Sequence, residues 1–269
     1  MRQVIDCHCH IYPDKIAAKA AGNTGKFYDI PMRYDGRLST MLEAGEAAGI
    51  TRYLVFSVAT TPAQTASINR YIADTVAAYP DRMLGLGTMH PDEENPAAVA
   101  DEILALGLRG LKLHPDIQGV ALDDPRCMRI FEVCEGRLPV LLHTGDKRYR
   151  YSNPEELIPV LKAFPRLTVI GAHFGGYSVW QDAAEKLAPY SGLYVDCSSS
   201  LFAMTNEEGR RLVRLWGAER VLFGTDYPMW DPTEELARFD AMELSERESA
   251  LILHENAERL FGFPPCENA

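Results

Sequence analysis

The sequence lacks the features of a membrane or secreted protein. No basic N-terminal segment precedes an apolar stretch, and no apolar run approaches the roughly 20 residues that span a bilayer. Six cysteines in 269 residues are too few for the dense disulfide framework of a small secreted domain. We therefore expect a cytoplasmic protein with reduced thiols and no membrane partner.

Positive charge is also scarce. The chain carries 27 basic and 38 acidic residues, which gives a formal net charge of -11. Such a surface favours solubility and offers little to the phosphates of a nucleic acid. We therefore expect a small-molecule substrate and no nucleic-acid partner, and we leave homo-oligomerisation open.

Nothing in the sequence marks a boundary between domains. No linker, low-complexity tract or block of like charge interrupts the chain. With 46% apolar residues, a chain of this length can form one large core. We therefore predict a single domain over residues 1–269.

Short apolar runs alternate with longer helical patterns along the whole chain. The apolar runs predict eight strands, at residues 4–8, 53–58, 83–88, 110–114, 139–143, 167–173, 193–197 and 221–225. Helices are predicted at residues 38–48, 62–78, 96–106, 125–135, 154–163, 179–188, 206–216 and 233–241, with an extra C-terminal helix at 246–261. Eight such units favour a closed (β/α)8 barrel over an open doubly wound sheet. Residues 11–35 are predicted to be a long loop that could act as a lid.

The ionisable side chains cluster at the predicted strand ends. Six of the seven histidines lie at or just past the C-terminal end of a strand, namely His8, His10, His90, His114, His143 and His173. Asp226 follows the eighth strand, whereas His254 lies in the last helix and receives no role. In a barrel these ends form one mouth, where barrel enzymes place their chemistry. The sequence therefore predicts one active site built from distant segments.

The first strand ends in the run Cys7-His8-Cys9-His10. Adjacent side chains of a strand point to opposite faces, so the four cannot bind one ion together. Because cysteine commonly behaves as a small buried hydrophobe, we expect the cysteines against the helices and both histidines inside. Two histidines on one face are close enough to converge on a cation.

Three later residues strengthen this interpretation. His143, His173 and Asp226 add two imidazoles and a carboxylate at other strand ends. Neutral imidazoles with a carboxylate suit zinc or a similar divalent ion. The five residues together predict a metal site, although His173 and Asp226 could each also serve only to form a turn.

Six segments of the chain resemble the amidohydrolase superfamily, in particular the amidohydrolase-related branch that includes aminocarboxymuconate-semialdehyde decarboxylase. They are Ile-Asp-Cys-His-Cys-His, Gly-Leu-Lys-Leu-His-Pro, Leu-His-Thr-Gly, Gly-Ala-His-Phe-Gly-Gly, Leu-Phe-Gly-Thr-Asp-Tyr-Pro and Glu-Asn-Ala-Glu-Arg-Leu-Phe-Gly. The resemblance covers nearly the whole chain. It implies a metal-dependent enzyme.

The resemblance also implies roles for individual residues. His8, His10, His143 and Asp226 would bind one ion, Zn2+ or another divalent transition metal, with one ion favoured over two. His173 would polarise the substrate or relay protons beside it. In other branches of the superfamily, a histidine after the sixth strand is instead a ligand of a second metal.

Lys112 has two open interpretations. Lys112 and His114 are two residues apart on a strand and should both point inward, where a lysine needs a partner to stay charged. Its ammonium group could bind a substrate carboxylate, which we slightly favour. As the resemblance to two-metal members implies, it could instead be carboxylated and bridge two ions.

The remaining substrate contacts are harder to assign. His114 and His90 could touch substrate or be satisfied rim histidines, and for His90 we favour the second role. Arg148 lies in a basic and aromatic loop after the fifth strand, and its guanidinium fork matches a carboxylate. A solvated loop would explain this composition equally well. We take Lys112, His114 and Arg148 as the candidate substrate-binding residues.

Two reactions fit these residues. In hydrolysis of a small amide, ester or lactone, Asp226 takes a proton from a metal-activated water while His173 stabilises the oxyanion. In non-oxidative decarboxylation of an unsaturated or aromatic acid, the same site delivers a proton to carbon before carbon dioxide leaves. The sequence modestly favours hydrolysis, because the chain is short for the decarboxylases of this branch.

Two further classes are weaker alternatives. A TatD-type deoxyribonuclease usually has a glutamate where this chain has Lys112, and it would need more positive charge to bind a phosphate backbone. A non-catalytic metal-binding barrel would keep the ligands and lose the base, whereas both are present here. We therefore rank both below the two enzymatic reactions.

Overall fold

The computed structural model describes residues 2–264, and these residues form two compact units. The terminal unit contains residues 2–56, 79–84 and 197–264, and the central unit contains residues 57–78 and 85–196. Among the described residues, no helix is both long enough and apolar enough to cross a membrane. Among the described residues, five cysteines are buried and form no disulfide, whereas Cys266 lies outside the described residues.

Strands and helices alternate throughout residues 2–264. The strands are β1 (Ile5–His10), β2 (Arg52–Phe56), β3 (Met83–Gly85), β4 (Gly87–Thr88), β5 (Leu111–Leu113), β6 (Val140–Leu142), β7 (Val169–Gly171), β8 (Leu193–Asp196) and β9 (Val221–Leu222). The helices are α1 (Ala17–Tyr28), α2 (Leu38–Ala47), α3 (Thr65–Ala78), α4 (Pro96–Ala105), α5 (Pro115–Gln118), α6 (Pro125–Cys134), α7 (Pro154–Ala163), α8 (Trp180–Leu187), α9 (Asn206–Trp216), α10 (Pro232–Asp240), α11 (Glu246–Ala250) and α12 (Asn256–Phe261).

The predicted alternation is confirmed, with local differences. All eight predicted strands are present, and the third is divided at Leu86 into β3 and β4. The predicted last helix is interrupted by a π-helical turn over Leu251–Glu255, which separates α11 from α12. Several helices begin with proline, because its missing N–H is not needed in the first turn.

The prediction of a continuous loop over residues 11–35 was wrong, because α1 lies within it. Its buried positions are Ala17, Ala21 and Gly25, which are small residues spaced four apart. They give almost no hydrophobic signal, and glycine lowers helix propensity. A side chain at Gly25 would come within 2.8 Å of the carbonyl oxygen of Ile30, so close packing rather than side-chain hydrophobicity explains this helix.

The central unit contains five consecutive parallel strands. Their order is β4, β5, β6, β7 and β8, and each pairs in parallel with the next. Val140, Leu142, Val169 and Val195 are completely buried, which is typical of parallel strands covered on both faces. Lys112 is a polar exception within β5, and further polar side chains follow the ends of the strands. His114 follows β5 and His143 follows β6, so the two occupy the same edge of the sheet.

In the terminal unit, the segment after β9 runs beside β1. The backbone N–H of Cys7 donates to the carbonyl oxygen of Phe223 at 2.9 Å, and that of His10 donates to Tyr227 at 2.8 Å. Cys9 and Tyr227 also form a parallel bridge. This pairing places Asp226, which precedes Tyr227, beside the two histidines of β1.

Candidate metal centre

The terminal unit brings His8, His10 and Asp226 together. The Oδ1 atom of Asp226 lies 3.4 Å from Nε2 of His8 and 3.7 Å from Nε2 of His10. One ligand atom from each of the three residues lies within 4.8 Å of the other two. Two imidazole nitrogens and a carboxylate oxygen at this spacing fit a divalent transition metal ion.

The strand geometry of β1 explains how the two histidines share a face. Their ring centroids are 5.3 Å apart, and both rings meet the ring of Phe56 edge-on at about 5 Å. Cys7 and Cys9, which alternate with them, are buried and form no disulfide. The predicted orientation, with both histidines toward the site, is therefore consistent with the structure.

Asp6, the second residue of β1, forms hydrogen bonds with the segment that carries Asp226. Its Oδ2 accepts from the hydroxyl of Thr225 at 2.5 Å, and its Oδ1 accepts from the N–H groups of Thr225 and His8. Burial raises the pKa of Asp6 to about 6, although these hydrogen bonds oppose the shift. The sequence interpretation assigned Asp6 no role, and its position two residues before His8 was the available signal.

The hydroxyl groups of two serines contact the candidate ligands His8 and Asp226. Ser198 Oγ lies 3.2 Å from Nδ1 of His8, and Ser199 Oγ donates to Oδ2 of Asp226 at 2.5 Å. Trp230 Nε1 donates to Ser199 Oγ at 2.8 Å. The sequence interpretation missed these serines, because a Cys-Ser-Ser-Ser run after a strand carries no chemical pattern by itself.

The central unit holds a buried pair formed by His143 and His173. Nδ1 of His143 lies 3.1 Å from Nε2 of His173, and Tyr177 packs against both rings. His173 adopts φ 59°, and its N–H donates to Asp196 Oδ1 at 3.1 Å. The two predicted site histidines after β6 and β7 are therefore neighbours.

His114, Asp116 and His143 form a second group in which ligand atoms lie within 4.8 Å of one another. His114 caps α5, where its Nδ1 accepts from the N–H of Ile117 at 3.3 Å. A neutral imidazole that accepts at Nδ1 carries its proton on Nε2, which then has no lone pair for a metal. We therefore assign His114 as a hydrogen-bond donor beside His143, on which its ring stacks at 4.0 Å.

Asp116 is a buried carboxyl group that the sequence interpretation missed. Its Oδ2 accepts from the Ser152 hydroxyl at 2.5 Å and lies 3.5 Å from Nε2 of His143. Its Oδ1 is buried without a hydrogen-bond partner. Burial raises the pKa of Asp116 to about 7. The signal for it was its position two residues after His114, at the start of a helix.

The remaining predicted residues lie in different environments. Lys112 is completely buried in β5. Arg148 directs its fork onto the buried carboxylate of Asp146, with Nη2 at 2.6 Å from Oδ2, so this guanidinium already has a carboxylate partner within the chain. His90 accepts from the N–H of Asp92 at 3.1 Å, as expected of a satisfied rim histidine.

Comparison with known proteins identifies the family of this chain. The family model for amidohydrolases matches residues 5–263. The chain belongs to the amidohydrolase family. One relative of this amidohydrolase is the 2-amino-3-carboxymuconate-6-semialdehyde decarboxylase of Dictyostelium discoideum, with 28% identity over 244 residues. The match covers 74% of this chain and 66% of the relative, so the chain spans just under two thirds of the relative's length.

Solved structures establish the fold of this amidohydrolase. A TIM-barrel protein from Bordetella bronchiseptica matches with a TM-score of 0.80 and 25% identity, over 97% of this chain and 99% of that one. The predicted (β/α)8 barrel is therefore confirmed.

Two further structures share this fold. The 5-carboxyvanillate decarboxylase of Novosphingobium aromaticivorans, solved with bound manganese, matches with a TM-score of 0.73 and 17% identity, over 97% of each chain. A Pseudomonas putida protein assigned as a 2-pyrone-4,6-dicarboxylic acid hydrolase matches with a TM-score of 0.68 and 21% identity, over 97% of this chain and 98% of that one. The same fold thus occurs with both reaction classes.

Proposed function

We propose that this amidohydrolase is a metal-dependent decarboxylase, which removes carbon dioxide non-oxidatively from an unsaturated or aromatic carboxylic acid. The choice of decarboxylation over hydrolysis rests on the contacts of the two carboxylate oxygens of Asp226. Its Oδ1 faces His8 and His10, and its Oδ2 already accepts the hydroxyl hydrogen of Ser199. Trp230 holds that serine in place.

This arrangement argues against the hydrolytic role first expected for Asp226. To act as a general base, Oδ2 would take a proton from water. The proton would meet the Ser199 hydroxyl hydrogen, which would then have to turn away from the carboxylate. Decarboxylation does not require this step, because its proton is needed at carbon. The decarboxylase relative supports the same choice.

His8, His10 and Asp226 would hold the divalent ion, and His143 is proposed as the fourth ligand. Once bound, such an ion supplies positive charge that binds and polarises an anionic substrate. Zn2+ remains the expected metal, with Mn2+ as the first alternative to test. In a (β/α)8 barrel the C-terminal ends of the strands share one face, which supports proposing a common site for these residues and His173.

In this proposal His173 moves the proton. His173 acts as an imidazolium, charged by a proton from solvent. It delivers its Nδ1 proton to the substrate carbon that bears the carboxylate and returns to the neutral imidazole. Its Nε2 lies 3.1 Å from Nδ1 of His143, a contact that orients the ring. The bond to the carboxylate breaks, its electron pair restores the unsaturated system, and carbon dioxide leaves. Solvent returns a proton to His173.

Lys112 and His114 are proposed to bind the substrate. Both belong to the strand and turn that precede α5, and His114 presents an N–H at Nε2. A lysine ammonium and an imidazole N–H both suit a carboxylate. Arg148 is a weaker candidate than the sequence indicated, because Asp146 already binds its fork. The small-molecule substrate and the cytoplasmic location remain predictions.

Hydrolysis of an amide, ester or lactone is the second candidate. Its support is the fold shared with the Pseudomonas putida protein, which is assigned as a hydrolase. A screen separates the two reactions. Metal-loaded protein is incubated with unsaturated and aromatic carboxylic acids and, separately, with lactones, while carbon dioxide and ring opening are both measured.

We expect carbon dioxide from at least one acid, abolished by a chelator and reduced by at least roughly 100-fold in His173→Asn, since positioned acids and bases contribute at least that much. Lactone opening without carbon dioxide from any acid would contradict the proposal. His254→Asn is a matched control, because His254 lies outside the candidate site and pairs with Glu258, and this variant should keep most of the activity.

A further inference from the structure

We propose that Ser199 and Trp230 are positioning residues, which fix Asp226 as a metal ligand through one directed hydrogen-bond chain. The chain runs from the indole N–H of Trp230 to the Ser199 hydroxyl, and from that hydroxyl to Oδ2 of Asp226. This inference rests on the metal-dependent function proposed above. It adds two residues beyond the proposed metal ligands.

The direction of the chain follows from the donor chemistry of tryptophan. The indole nitrogen can only donate, so at 2.8 Å the Ser199 oxygen must be the acceptor. The single hydroxyl hydrogen of Ser199 is then available for Asp226, whose Oδ2 lies 2.5 Å away. The sulfur of Met229, at 3.7 Å from the same hydroxyl, is a weak acceptor that competes poorly with a carboxylate.

This hydrogen-bond chain gives the two carboxylate oxygens of Asp226 different partners. Oδ2 is held by Ser199, whereas Oδ1 is directed toward Nε2 of His8 and of His10. Ser199 is 1% exposed and Asp226 is 9% exposed, so water competes little for this hydrogen bond. The carboxylate is therefore set to offer one oxygen to the ion.

The local backbone supports a site-building role. Ser199 and Asp226 adopt φ values of 45° and 59°, a region that few non-glycine residues occupy. The neighbouring Ser198 contacts the other side of the centre, with Oγ at 3.2 Å from Nδ1 of His8. Two consecutive serines thus contact two candidate ligands.

The third serine of the run offers a matched control. Ser200 is completely buried like its neighbours, but its hydroxyl donates to the backbone carbonyl of Ser198. Ser200→Ala removes a buried hydroxyl from the same run but removes no contact to the side chain of a candidate ligand.

The test measures Mn2+ affinity directly, by the electron paramagnetic resonance signal of the free ion during titration. We expect Ser199→Ala to weaken binding by roughly 10- to 100-fold, the range typical of lost outer contacts to ligands. Trp230→Phe keeps the ring and removes the donor, so it should weaken binding by a smaller factor. Because Trp230 acts through Ser199, the double variant should bind no more weakly than Ser199→Ala alone. Ser200→Ala should bind like the parent.

A second variant guards against loss of folding. Ser199→Gly also lacks the hydroxyl, and glycine accepts the positive φ, so it should fold and lose the same affinity. Parent-like affinity in both Ser199 variants would overturn the inference while leaving the metal-dependent function intact. Independent, multiplicative losses in the double variant would overturn the proposed role of Trp230. A parent protein that binds no divalent ion would overturn the proposed function as well.

Discussion

Buried carboxyl groups in this molecule differ in what surrounds them. Asp6, Asp116 and Glu235 are each nearly inaccessible, and burial raises their pKa values to about 6, 7 and 7 respectively. Asp6 and Asp116 contact the candidate site, whereas Glu235 lies on α10 and forms an ion pair with Arg238. Burial is the largest cause of the raised pKa of Glu235, and the charges of Asp226 and Asp6 add to it. Glu235 is therefore a suitable place to observe the cost of burying a carboxyl group.

The first prediction concerns Glu235→Gln and the pH dependence of stability. Burial raises the pKa of Glu235 from 4.5 to about 7, so between these values the folded state binds more protons than the unfolded state. Stability should therefore fall as pH rises through this window, by at most about 3 kcal/mol. Urea unfolding of Glu235→Gln at several pH values should show a smaller fall.

Glu234→Gln is the control for this measurement, because Glu234 pairs with the same Arg238 from an exposed position. Its pH profile should match that of the parent. A Glu235→Gln profile parallel to the parent's across pH 4.5 to 7 would mean that the buried carboxyl group does not control this dependence.

At the scale of elements, the candidate centre depends on close packing between β1 and the segment after β9. A Cβ atom added at Gly224 would lie 2.8 Å from Cβ of His8 and 3.3 Å from Cβ of Ser198. Neither neighbour is a flexible chain end that could move away at little cost. Glycine is therefore required at this position for His8 to keep its place.

The second prediction follows from this contact. Gly224→Ala should displace His8 and weaken divalent-metal binding at least several-fold, measured by titration calorimetry. Gly22→Ala is the matched control, since Gly22 lies inside α1 with nothing within 4 Å of an added Cβ. That variant should bind metal normally and gain roughly 0.5–1 kcal/mol in unfolding free energy. Equal metal affinity in the two variants would contradict the proposed packing constraint.

The sequence predicted the features that a regular spacing of residues encodes. Eight strands followed from apolar runs, and the pairing of His8 with His10 followed from the two-residue repeat of a strand. The proximity of Asp226 to them followed from its place after the last strand. The first two inferences need only strand geometry, whereas the third also needs a closed barrel, in which the last strand lies beside the first.

Other features depend on contacts that no local pattern encodes. Helix α1 packs through alanine and glycine, so it lacked an amphipathic signal. Ser199 and Asp116 act through partners that are distant in sequence, Trp230 and Ser152. Arg148 was predicted to face substrate, yet Asp146, two residues away, binds it. Only the folded chain brings these partners together or shows which of them pair.

At the scale of the whole molecule, the barrel determines where chemistry occurs and leaves the reaction open. The same fold is shared with a decarboxylase and with a protein assigned as a hydrolase. Function therefore has to be argued from the site. Here the two reactions differ in which atom receives a proton, the substrate carbon or Oδ2 of Asp226.

The third prediction concerns metal removal. An ion that binds only the folded state stabilises it, by about 2.7 kcal/mol at a free concentration 100 times its dissociation constant. Chelated protein should therefore unfold at a lower temperature than protein with added Mn2+ or Zn2+, measured by calorimetry. Asp226→Asn should fold, because asparagine tolerates a positive φ, and should lose most of the shift. An equal shift in parent and variant would place the ion elsewhere.

The most direct test of the central claim is to follow the reaction in isotopic water. A compound that is converted in the screen, whether acid or lactone, is converted again in D2O and, separately, in H2(18)O, and the product is analysed by mass spectrometry. Decarboxylation predicts one deuterium on the carbon that lost carbon dioxide and no 18O in the organic product. Incorporation of one 18O atom without loss of carbon dioxide would contradict the account and establish water attack.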